Sequence, residues 1–159
     1  MKAFGKFVEA TITQAGREAE AERSTTIEAQ HVLLAIAAQP QTPPAQLLSS
    51  VGLDHRALRS ALDREFEHSL SVAGVALGAF ELAAPSAAPQ PATQLGSSVR
   101  QAIERGVQGV EKGLQPAHLL LGILQAEVGT VPRALALAGI DRTELLARVR
   151  QAATPTWRE

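Results

Sequence analysis

The sequence predicts an all-α protein: two pseudo-symmetric four-helix repeats packed as one domain. Three observations carry this. A histidine precedes an aliphatic run twice, in "IEAQHVLLAI" at residues 27–36 and in "LQPAHLLLGI" at residues 114–123. The 87-residue offset from His31 to His118 recurs without a gap from Leu33/Leu120 through Leu48/Leu135 and Gly52/Gly139 to Leu62/Val149, which marks an internal duplication. Hydrophobic residues make up 45% of the 159 residues and aromatics only 3%, so the core is aliphatic and favours helix over strand.

The first helix is expected over about Gly5 to Glu22, because Phe4, Phe7, Val8, Ile12, Ala15 and Ala19 recur at three- and four-residue spacing. In the second copy Leu95, Val99, Ile103, Val107 and Val110 keep similar spacing. The second helix begins near Ala29 or Pro116, and proline at a first helical position loses no hydrogen bond. Val32 to Leu34 are apolar on every side of that helix, so it is central and buried. The third helix is short and ends before Gly52 or Gly139, where glycine can take the left-handed conformation that closes a helix. The fourth starts at Asp54 or Asp141, whose carboxylates can cap free N–H groups. Asp141 and Glu144 in "DRTE" have the spacing of a capping-box variant.

The chain divides accordingly: a first repeat over 1–68, a connecting segment over 69–93, a second repeat over 94–153 and a tail over 154–159. In the connector, Val72, Val75 and Phe80 could dock a short helix on the core. Pro85, Pro89 and Pro91 make the rest, Ala83 to Thr93, a linker. The tail is expected to fray unless Trp157 packs back.

Several function classes are disfavoured. Fifteen basic and 16 acidic side chains give a net charge of −1 with no basic stripe, so no nucleic-acid partner is expected. There is no cysteine, hence no disulfide framework and no thiolate chemistry. No apolar run is long enough to span a membrane. The opening "MKAFGKFVEA" turns polar too soon for a signal peptide, so a cytoplasmic location is expected. "GKF" at Gly5 to Phe7 is no phosphate-binding loop. Ser69 follows His68, but neighbours on a helix point apart. Glu28-x-x-His31 has the spacing of a di-iron helix motif, yet the second copy has Gln115 in place of the glutamate. No catalytic residue, metal or cofactor is expected. His31 and His118 are read as structural, each fixing backbone at the start of a buried helix.

These residues carry a family resemblance. A first helix opened by Phe, an Ile-x-x-x-His-x-Leu-Leu helix start and a Leu-Gly-x-(Asp/Ser)-type turn, duplicated, resemble the N-terminal domain of the ClpA, ClpB and ClpC unfoldases. The resemblance covers about residues 4–68 and 92–153 and looks most like free-standing proteins of this kind. It implies a non-enzymatic module that binds proteins or peptides: Clp substrates, adaptors or the unfoldase itself. It would act as a regulator or a decoy. The alternative is a small-molecule binder sequestering cyclic-peptide antibiotics that target Clp. By resemblance the binding groove lies between the two first helices and includes Phe4, Ile12, Thr13, Gly16, Arg100, Ile103 and Val107. The positions associated with phosphoarginine fall on Gln30 and Ala117, where the carboxylate that would hold a guanidinium is missing. Gly52, Gly139, Asp54 and Asp141 are carried as structural.

Overall fold

The computed structural model describes residues 2–74, 93–110 and 113–153. Among these it holds eight helices: α1 (Lys2–Ala21), α2 (Ala29–Ala37), α3 (Pro43–Ser50), α4 (His55–Val72), α5 (Ser97–Val107), α6 (Pro116–Leu124), α7 (Thr130–Leu137) and α8 (Arg142–Ala153). Two strands of two residues, β1 (Thr26–Ile27) and β2 (Gln94–Leu95), pair in parallel, Thr26 with Gln94 and Ile27 with Leu95. The 87-residue offset reproduces both ends of α2 in α6, both ends of α3 in α7, and the start of α4 in α8.

Packing follows the same duplication. α2 and α6 touch each other at the centre. α1 packs on α2 and reaches across to α6, while α5 packs on α6 and reaches across to α2. The third and fourth helices cross over likewise: α3 meets α6 and α8, and α7 meets α2 and α4. Each contact between copies has its image, as a pseudo-twofold arrangement requires. The reason lies in α2 and α6, which are buried nearly all round. A helix apolar on every side has to be enclosed by others, and each copy supplies half of the enclosure for the other.

The two central helices start alike. The Glu28 N–H donates to Nδ1 of His31 at 2.9 Å, and the Gln115 N–H donates to Nδ1 of His118 at 2.8 Å. In a capping box a glutamate side chain reaches back to the N-cap N–H; here an imidazole does so. Because Nδ1 accepts, the proton of the His31 ring sits on Nε2, which bonds the Glu22 carboxylate.

Helix ends are marked by Gly52 and Gly139, with φ of 82° and 74°. Asp54 Oδ1 accepts the Ala57 N–H at 2.8 Å, and Asp141 Oδ1 accepts the Glu144 N–H at 3.2 Å. The Glu144 side chain is engaged by Arg148, one turn on. Replacing Asp54 with Ala is expected to cost about 1 kcal/mol, the usual worth of such a cap. Urea denaturation would read this, with helical circular dichroism unchanged in the absence of denaturant.

Some elements differ from the sequence reading. Leu95 lies in β2 and Val110 beyond the helix, so α5 is shorter than its apolar spacing suggests. α4 continues through residues 69–72 into the expected connector, and Val72 is exposed rather than docked. Val75, Phe80, the three linker prolines and the tail lie outside the described residues.

Candidate functional site

Two surfaces follow from this packing. The first region of interest is the helix pair α1 and α5, each of which packs on both α2 and α6. On α1, Phe4 and Ile12 are half-buried, Thr13 is exposed and Gly16 is buried. On α5, Ile103 and Val107 are half-buried and Arg100 is exposed. Ile12 and Ile103, with Val8 and Leu95, lie against the buried core while keeping part of their surface in water. Such residues contribute to the core and still offer apolar area to a partner.

The second surface is a cleft of about 410 Å³ between the start of α2, one side of α5 and the loop from α6 to α7. Its walls include Glu28, Gln30, Ser98, Gln101, Arg105 and residues 126–132. Glu28 is held in place: Thr26 Oγ1 donates to its Oε1 at 2.9 Å and the Ser98 hydroxyl donates to Oε2. The Ala29 N–H in turn donates to Ser98 Oγ at 2.9 Å. Gly96, at the N-cap of α5, makes room for this carboxylate, since a Cβ there would lie 1.8 Å from Oε1. Arg105 Nε donates to the Gly122 carbonyl at 3.1 Å.

Gln30 therefore lines a cleft, whereas its equivalent in the second copy, Ala117, is buried at 3% exposure. The two positions are not matched in access or in chemistry. His31 and His118 are engaged by backbone as described, and Gly52, Gly139, Asp54 and Asp141 sit at helix ends. Among the described residues no group of three or more His, Asp or Glu side chains could hold a metal ion. No helix among them is long and apolar enough to cross a membrane.

Sequence reasoning missed a buried ion cluster that braces the first copy. Glu18, only 6% exposed, accepts from Gln14 Nε2 at 3.1 Å and meets His55 Nε2 and Arg59, each at 2.7 Å. Arg59 also reaches Glu22, which bonds His31. Burial raises the Glu18 pKa, but the hydrogen bonds from His55 and Gln14 and the nearby charges of His55 and Arg59 outweigh it, leaving the carboxyl below its ordinary value. The four-residue spacing of Glu18 and Glu22 was the only signal; the partners of Glu18 on α4 are about forty residues away.

The family model for the Clp repeat N-terminal domain matches residues 3–87, more than half of the chain. The chain belongs to the Clp N-terminal domain family. No curated protein matches. Among solved structures, the N-terminal domain of the caseinolytic protease associated chaperone ClpD from Arabidopsis thaliana is similar, with a TM-score of 0.64. That match has 18% identity and covers 95% of this chain and 94% of that one, so it speaks to the fold alone. The matched residues take in α1 to α4, and α5 to α8 lie outside the match but repeat the helix ends of the first half at the 87-residue offset. In Clp unfoldases the Clp N-domain serves substrate and adaptor binding and is a binding module rather than a catalytic one.

Proposed function

We propose that this Clp N-domain is a non-enzymatic receptor for protein or peptide partners of a Clp unfoldase, and that it regulates the unfoldase or acts as a decoy for its clients. The observation that supports this reading is the set of half-exposed apolar residues, Phe4, Ile12, Ile103 and Val107, on two helices mounted on one central pair. Thr13 and Arg100 are exposed on the same two helices, whereas Gly16 is buried and offers no surface to a partner. A partner helix or loop laid across α1 and α5 would bury this apolar area, which is the main source of affinity in such contacts.

The test is degradation of an adaptor-dependent substrate by a purified Clp unfoldase–protease, with this chain added in excess. The wild type is expected to change the rate and Ile103→Asp to leave it unchanged. A rate unaffected by the wild type would refute the regulator and decoy roles.

Phosphoarginine recognition is not expected. Gln30 offers no charge and Ala117 offers no polar group, whereas a guanidinium is held best by a carboxylate. Calorimetric titration with free phosphoarginine should therefore show no saturable heat. Restoring the acid in Gln30→Glu, at the exposed cleft, should improve binding more than Ala117→Glu.

A further inference from the structure

We infer that the cleft at the start of α2 is a second binding site, and that it receives a peptide carboxylate with Arg105 as its anchor. This goes beyond the α1–α5 face and does not depend on it.

Arg105 is half-buried on α5 and lines the cleft. Its Nε is committed to the Gly122 carbonyl, which fixes the plane of the guanidinium and leaves both terminal nitrogens for a ligand. Among the described residues it has no ion-pair partner. Glu28 lines the same cleft but is held by the hydroxyls of Thr26 and Ser98 instead. A half-buried, oriented guanidinium with no counter-ion among the described residues is matched by a planar oxyanion that takes two parallel hydrogen bonds.

The surroundings narrow that oxyanion. Glu28 and Glu127 both line the cleft, so a dianionic phosphate meets two like charges and a singly charged carboxylate meets them at lower cost. Gln30 and Gln101 make no side-chain hydrogen bond among the described residues. Each therefore offers one donor group and one acceptor to the amide that adjoins a peptide carboxylate. Val131 and Pro132 give an apolar wall suited to a small aliphatic side chain. The equivalent corner of the second copy has buried Ala117 for Gln30 and uncharged Gln115 for Glu28, so the site belongs to one copy only.

The experiment is nuclear magnetic resonance titration of the full, ¹⁵N-labelled chain with three probes. These are N-acetyl-Ala-Val-Ala with a free carboxylate, the same tripeptide amidated, and N-acetyl-Ala-Glu-Ala-amide. The free acid is expected to give saturable shifts centred on Gln30, Ser98, Gln101 and Arg105. Amidation should weaken binding about tenfold, as loss of one charge-assisted pair implies. Binding of the glutamyl amide would assign the site to side-chain carboxylates as well as chain termini; its failure would restrict the site to chain termini. Arg105→Gln should abolish the preference for the acid. Because Arg105 also holds a backbone carbonyl, Gln101→Glu serves as an independent variant: it places a repelling charge on the exposed wall and should weaken the acid alone. Equal binding of acid and amide, shifts centred elsewhere, or no effect of Gln101→Glu would overturn the proposal.

Discussion

Gly122→Val is expected to destabilise the protein by about 3 kcal/mol, the upper range for forcing atoms into a packed core. Gly122 sits where α6 passes close to the backbone of α5. A Cβ there would lie 1.9 Å from the carbonyl oxygen of Ala102 and 2.8 Å from the backbone nitrogen of Gly106. Gly106 meets the same crossing from the other side, its Cβ position 2.2 Å from the His118 carbonyl oxygen. Both obstacles are backbone, so no side chain can swing away and the helices must part. Parting them also disturbs Arg105, whose Nε bonds the Gly122 carbonyl. Thermal denaturation should show the midpoint lower by roughly 10 °C for a chain of this size. Gly5→Ala is the control: it sits within α1 with nothing within 4 Å of its Cβ position, so it should gain up to about 1 kcal/mol from helix propensity. A Gly122→Val protein as stable as the wild type would mean that the crossing is looser than described.

Glu18→Gln should cost about 2 kcal/mol near neutral pH. Removing one partner of a buried ion pair is typically worse, but His55 and Arg59 are partly exposed and water can take them up, which reduces the loss. The effect depends on pH with a definite sign. The folded-state pKa of Glu18 lies below its ordinary value of 4.5. The folded state therefore binds this proton less readily than the unfolded state does, and the stabilisation is fully present above about pH 4.5. It is lost as pH falls through the depressed folded value. Urea denaturation of both proteins from about pH 5.5 downwards, where imidazole side chains are already charged, should show their difference shrinking below about pH 4.5. A gap that widens as pH falls below about 4.5 would contradict this ion cluster.

The parts of the fold that were legible in the sequence are those built from local, repeated patterns. The offset from His31 to His118 carries the ends of α2 and α3 into α6 and α7 and the start of α4 into α8, and several of these points rest on local chemistry: Gly52 and Gly139 follow α3 and α7, and Asp54 and Asp141 cap α4 and α8. Two-residue strands are too short to show a period, so β1 and β2 left no trace. The Glu18 cluster joins α1 to α4 through space, and alternation along either helix could not disclose it. The cleft is likewise non-local, assembled from Glu28, Ser98 and the 126–132 loop. Glu28 stood out in the sequence for its spacing to His31, but in the structure its carboxylate answers to Ser98 and Thr26 and its N–H to the His31 ring. The α1–α5 residues came from family resemblance, and the half-exposure of Phe4, Ile12, Ile103 and Val107 is a property of the packing.

The most direct test is a surface binding measurement with the immobilised chain against a purified Clp adaptor, an unfolded Clp substrate and the unfoldase itself. At least one of the three should bind the wild type saturably and bind Ile103→Asp at least about tenfold more weakly, the cost of placing a charge in an apolar contact. Failure of all three to bind, or equal binding to both proteins, would contradict partner recognition through α1 and α5.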